Sequence, residues 1–191
     1  MNKLLFLTIL IAISTLTLGA EKIIDINSND KRTEVKVSIG KIITYCVRYE
    51  GRPVVDASSV SLTIDGVVFG HDPVISRISR DSINTIITPL YGKFNRLSDS
   101  YKQVRIDFNG HFSLVFRVYN EGVAYRWITD LPLRKITVNT EEANISLNDT
   151  YGALLSVTPK LTSWELPYTS YNSIAQVSDT DNVIVPALFT S

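Results

Sequence analysis

Apolar and polar residues alternate position by position along much of this chain, and a period of two restricts it to β-structure before anything else is considered. Val35, Val37 and Ile39 are separated by Lys36 and Ser38. Across Gly40-Lys41, a second run places Ile43, Tyr45, Val47 and Tyr49 on one face, which predicts a hairpin with a short glycine-containing turn. Glu50-Gly51-Arg52-Pro53 is expected to break the chain. Residues 60–64 then run into an Asp65-Gly66 turn and out through Val67-Val68-Phe69.

The clearest hairpin lies mid-chain. Val104, Ile106 and Phe108 alternate with Arg105 and Asp107 up to Asn109-Gly110, and Phe112, Leu114, Phe116 and Val118 leave on the other side. Asn-Gly suits a tight turn with positive φ at both central residues. A three-residue loop, Asn120-Glu121-Gly122, leads into Val123-Ala124-Tyr125-Arg126-Trp127, so three consecutive antiparallel strands follow. β-Branched residues dominate, and no 3.6-residue stripe survives for three turns. The predicted fold is all-β, a large antiparallel β-sandwich of the super-sandwich type, with little or no helix. From Thr158 onward the periodicity fades into Pro-, Ser- and Tyr-rich sequence, and residues 183–189 read as one more strand. A strand so near Ser191 gives the expectation of a β-sandwich domain over 21–191 that is incomplete at its C-terminus, with an exposed edge prone to association.

Residues 1–20 are read separately. Met1-Asn2-Lys3 precedes an uncharged apolar run over 4–18, too short for the ~20 residues of a spanning helix. Thr17 and Gly19 supply small residues for a cleavage site. This is a secretory signal peptide, and a secreted, periplasmic location is expected, with no membrane segment after cleavage. With 19 Lys+Arg against 19 Asp+Glu, the chain carries no electrostatic footprint for nucleic acid or an anionic membrane. A single cysteine excludes an internal disulfide.

Catalytic signatures are missing: there is no nucleophile elbow, no zinc-protease helix motif and no phosphate-cradling glycine loop. His71 and His111 fall in or beside turns. Cys46, between Tyr45 and Val47, is expected as a buried structural thiol. Glu141 and Glu142 are adjacent, so on a strand they point to opposite faces and cannot flank one glycosidic bond. Asp179, Asp181 and Asn182 read as a polar turn, since the loop spacing of a calcium motif is absent. Glu121 reads as a turn residue, and Arg126 as a solvent-face ion-pair or barrier residue. No catalytic residue and no metal ligand is assigned.

One constellation stands above this background. Trp164-Glu165-Leu166-Pro167-Tyr168, followed by Tyr171, gathers three aromatics and a carboxylate in an irregular stretch. Aromatic faces stack on the apolar faces of sugar rings while a carboxylate accepts hydroxyl hydrogen bonds. Trp164, Glu165, Tyr168 and Tyr171 are therefore carbohydrate-binding candidates. The alternative is that Trp164 plugs the open end of the sandwich.

The order and spacing of several motifs resemble the N-terminal β-sandwich domain of glycoside hydrolase family 97, which includes α-glucosidases and α-galactosidases. They are Gly40-Lys41 with Thr44-Tyr45-Cys46-Val47-Arg48-Tyr49 and Gly51-Arg52-Pro53-Val54; Pro89-Leu90-Tyr91-Gly92-Lys93; the stretch from Phe116 through Glu121-Gly122 to Trp127; the segment at Trp164; and Pro186-Ala187-Leu188-Phe189. The resemblance implies a non-catalytic domain that packs on a (β/α)₈ barrel and lends residues to the rim of an oligosaccharide site. It implies that the catalytic carboxylates lie in that barrel, which takes ~250 residues of its own. Calcium is expected in the parent enzyme, at a site not formed in this chain. The chain alone is expected to be inactive. A free-standing secreted carbohydrate-binding or protein-interaction β-sandwich is the alternative reading.

Overall fold

The computed structural model describes residues 21–132, 135–158, 160 and 166–191. The signal-peptide reading of residues 1–20 lies outside them. Strands β1 (Lys22–Asn27), β2 (Thr33–Ile39), β3 (Ile43–Tyr49), β4 (Arg52–Ile64) and β5 (Val67–Phe69) follow one another closely. Next come β6 (Ile75–Ile87), β7 (Leu97–Phe108), β8 (Phe112–Tyr119) and β9 (Val123–Thr129). The last four are β10 (Val138–Ala143), β11 (Gly152–Thr158), β12 (Thr169–Tyr171) and β13 (Asn182–Thr190). A 3₁₀ turn at Ile174–Gln176 is the helical element among the described residues.

All pairings of these strands are antiparallel. One sheet runs β1-β2-β3-β4-β10, with β5 also on β4, and a second runs β6-β7-β8-β9. Alternation decides what lies between them. Val35, Val37 and Ile39 stand opposite Val47, Tyr45 and Ile43 across the β2–β3 ladder, all on one face. The second sheet meets them with Val104, Ile106 and Phe108 from β7 and with Phe112, Leu114, Phe116 and Val118 from β8. Phe116 is fully buried with its ring 5.7 Å from Tyr45 and 5.6 Å from Tyr125, in tilted arrangements that favour aromatic contact. The all-β sandwich read from the sequence is the observed architecture. A third sheet, β12-β11-β13, stands apart, and none of its residues belongs to the core cluster.

One turn differs from expectation and one break is shorter than expected. Phe108 pairs with Phe112, so residues 109–111 form a three-residue loop, and positive φ falls on Gly110 and His111 rather than on Asn109 and Gly110. A two-residue Asn-Gly turn would pair Phe108 with His111 and rotate every β8 side chain to the other face. A one-residue slip inverts a strand, so the hydrophobic pattern overrides the turn dipeptide. The break expected over 50–53 is confined to a two-residue turn at Glu50-Gly51. Both residues have positive φ (49° and 77°), Tyr49 pairs with Arg52, and β4 returns antiparallel from the turn at once. Pro53 is accommodated where the β3–β4 register shifts between Val47 and Arg48.

Cys46 is a further correction. Tyr45 and Val47 take the inward positions, so the thiol is half-buried on the outer face, opposite Lys36, and not in the core. Strands β1, β6 and β10 carry no clean alternation signal and were not expected. They are sheet-edge strands, and the polar sequences ISRISRDSINTII and VNTEEA suit partly solvated positions. The β6–β7 ladder continues to Ile87–Leu97, past the last β7–β8 pair at Tyr101–Tyr119, and leaves Leu90 98% and Tyr91 89% exposed at its tip.

Candidate functional site

Trp164 and Glu165 lie outside the described residues. Their neighbours are placed. Tyr168 is half-exposed and donates its hydroxyl to the Pro186 carbonyl at 3.5 Å, next to β13. Tyr171 ends β12 opposite Ala153, on the face where Ala153 and Leu155 are buried. The short β12 is therefore held on its inner side by β11. The tyrosine just ahead of it remains accessible.

The adjacent carboxylates behave as strand geometry requires. Glu142 lies opposite Ser61 on the outer face of the first sheet, whereas Glu141 lies opposite Leu62, a core position. Both oxygens of Glu142 are occupied. Oε1 accepts from Ser59 Oγ at 2.6 Å and from Asn144 Nδ2 at 2.9 Å, and Oε2 accepts from Ser61 Oγ at 3.0 Å. The hydrogen bond from Ser59, then that from Ser61, holds this carboxyl below its ordinary range against partial desolvation, with His71 assisting. An anion pinned in this way is a poor proton donor and a good staple between β10 and β4.

Glu141 instead adds its charge to the environment of Tyr125, whose hydroxyl is pushed up to about 12, chiefly by burial. Tyr45, raised by burial, donates to the Asn144 carbonyl at 3.0 Å. These tyrosines stay protonated at neutral pH, and Tyr45 ties β3 to the segment that follows β10. The Trp127 indole Nε1 is buried without a hydrogen-bond partner among the described residues.

The remaining candidates occupy turns. His111 has positive φ in the β7–β8 loop, and His71 forms an isolated bridge with Ile42. Asp181 N–H donates to the Ser178 carbonyl at 3.0 Å, closing the polar turn before β13. Arg126 is exposed, and the two ion pairs among the described residues, Arg32–Glu50 and Arg105–Asp107, do not include it. Among the described residues no three His, Cys, Asp or Glu side chains are placed to hold a metal ion.

The sequence model for the N-terminal region of glycosyl-hydrolase 97 matches residues 26–191. This chain belongs to that family. The family-97 N-terminal domain described here is 32% identical over 140 residues to a retaining alpha-galactosidase of Bacteroides thetaiotaomicron, an alignment covering 72% of this chain. It spans 21% of that relative's length. Its fold is similar to that of a glycoside hydrolase family 97 enzyme from a Pseudoalteromonas species in complex with panose. That likeness has a TM-score of 0.70 at 18% identity and covers 78% of this chain and 24% of the other. A beta-arabinopyranosidase is similar with a TM-score of 0.76 at 18% identity, over 87% of this chain and 29% of its own. The family-97 N-terminal domain thus corresponds to a minor part of each enzyme it resembles.

Sequence reasoning did not find the Glu142 staple, because its serines lie about eighty positions away on β4 and only the β4–β10 pairing brings them together.

Proposed function

We propose that this chain serves as the non-catalytic N-terminal domain of a secreted, periplasmic glycoside hydrolase acting on α-galactosides or α-glucosides. In this reading it packs on a catalytic barrel that carries the reacting carboxylates and most of the ligands for the enzyme's calcium. The segment holding Trp164, Glu165, Tyr168 and Tyr171 contributes to the rim of the oligosaccharide site. The observation that carries the reading is the family match over 26–191, joined to a retaining alpha-galactosidase of which the chain spans 21%. The saturation of Glu142 agrees with a domain that lends structure rather than proton transfer.

Purified chain is expected to release no product from aryl α-galactosides or α-glucosides with calcium present. Turnover that disappears in Glu165→Gln would overturn the proposal. In the source organism, an immunoblot against this domain is expected to show a band several times larger than 21.4 kDa. A stable band at the size of the chain would favour a free-standing binding module.

A further inference from the structure

Among the described residues, one end of the sandwich is not closed by packing. An open cavity of about 660 Å³ lies among the β1–β2 turn, the ends of β3 and β4, and the β8–β9 loop. Its floor is the end of the core itself, Val47, Val55 and Val123, with Tyr49 as a wall. Asp30, Asn120 and Glu121 stand on its rim. This volume is within the ~300–1,000 Å³ of small-molecule sites, whose usual design is an apolar lining with a few fixed polar groups.

The walls are fixed in place without a ligand. Asp30 N–H donates to Asn120 Oδ1 at 3.1 Å, and Thr33 Oγ1 donates to the Asn120 carbonyl at 3.2 Å, which ties the two loops together. With its oxygen engaged, the Asn120 amide offers N–H groups. Asp30 Oδ1 accepts from Ser28 Oγ at 2.6 Å and from Arg32 N at 3.0 Å, leaving its other oxygen as an acceptor. The lining cation is ion-paired through one nitrogen: Arg32 Nε meets Glu50 Oε1 at 2.8 Å, and its guanidinium carbon sits 4.8 Å over the Tyr49 ring.

These facts select a ligand class. Two carboxylates, Asp30 and Glu121, line the cavity against one arginine that is ion-paired to Glu50, so an anionic ligand is disfavoured. The rim offers acceptors on Asp30 and Glu121 and donors on the Asn120 amide, and the floor offers an apolar face. A neutral pyranose matches both, through its hydroxyls and its C–H face. We infer that this end cavity is a carbohydrate site separate from the aromatic segment at 164–171, seating a neutral pyranose on Val47, Val55, Val123 and Tyr49 beneath Asp30, Asn120 and Glu121. The choice of sugar rests on the proposed function; the location does not, because none of the described residues of the aromatic segment lines the cavity.

The test is a titration of the ¹⁵N-labelled chain with millimolar melibiose, with maltotriose and, as a cationic control, with tetramethylammonium. A sugar is expected to move the amides of Thr33, Tyr49 and residues 120–123. Its apparent Kd should rise at least severalfold in Glu121→Ala and about tenfold in Tyr49→Ala, with each variant's spectrum reporting retention of the fold. Four results would overturn the inference: no shift with either sugar, shifts confined to 166–172, equal affinity in both variants, or a response to tetramethylammonium in place of sugar. Shifts confined to 166–172 would leave the proposed function standing, whereas hydrolysis by the chain would defeat that function and leave the mapped cavity intact.

Discussion

Strands β8 and β13 carry similar residues in opposite circumstances. Leu114 and Phe116 of β8 are fully buried, whereas Val185 and Leu188 of β13 are 76% and 56% exposed. Both strands have hydrogen-bonded neighbours, β8 on two sides and β13 on β11. What differs is the facing layer. Beneath β8 lies a second sheet offering Val37, Ile43 and Tyr45, so each apolar side chain leaves water on folding, worth roughly 1.5–3 kcal/mol per large residue. Among the described residues, the β11–β13 pair is covered on one side only, with Ala153, Leu155 and Ile184 buried and Leu154 opposite Leu188 on the other side. Alternation makes a strand amphipathic; only an opposing layer turns amphipathicity into stability.

The largest test of this contrast is truncation in each region. Phe116→Ala is expected to cost about 3–5 kcal/mol, the range for a buried aromatic whose cavity cannot collapse. Leu188→Ala, on the open face, is expected to cost less than ~1 kcal/mol. Urea unfolding of both variants gives the values, and comparable losses would break the contrast by revealing a hidden layer over β13.

Adding a methyl group offers a second, smaller test. Gly70 has φ +103°, and an added Cβ would sit 3.0 Å from the Val60 carbonyl oxygen and 3.4 Å from Trp127, so backbone must move. Gly70→Ala is expected to lose about 1–3 kcal/mol. At Gly152, in the third sheet, no left-handed φ is required; an added Cβ would meet the rotatable Thr190 hydroxyl at 2.8 Å and the Tyr171 carbonyl oxygen at 3.3 Å, so a shift of a few tenths of an ångström in the short β12 suffices. Gly152→Ala should cost less than ~1 kcal/mol. Thermal unfolding of the two alanine variants ranks them directly.

The smallest effect concerns pH. The Glu142 staple lies in the sandwich, and its folded carboxyl titrates below the ordinary value of ~4.3. A lowered carboxyl contributes stability that is complete above the unfolded value and fades as pH falls through the folded one. Glu142→Gln should therefore be less stable than the native chain at pH 7, with the gap narrowing below about pH 4. A gap independent of pH would mean that shape, not charge, holds β10 to β4. Denaturation midpoints at pH 7 and in the acid range separate the two.

Much of this architecture is legible in the residues. The core of β2, β3, β7 and β8 can be read from alternation alone, because those strands lie inside their sheets with one face dry. Strands β6 and β10 are not legible, since their edge positions tolerate Arg, Ser and Glu as readily as any loop does. The end cavity escapes the sequence for another reason: Asp30, Tyr49 and Glu121 lie in three separate turns or strand ends, and no spacing rule links them. Tyr168 and Tyr171, adjacent and aromatic, draw attention that the scattered cavity residues do not.

By itself the sequence determined the all-β class, the faces of the central strands and the family, because these depend on residue type repeated at short intervals. Tertiary structure decided the register of the Asn109-Gly110 loop and the saturation of Glu142. Each of those depends on a partner brought from far along the chain: a facing sheet that requires Phe112 rather than His111 to turn inward, or a strand that delivers two serines to one carboxylate. Local patterns specify what a segment prefers; the opposing layer decides which preference is satisfied.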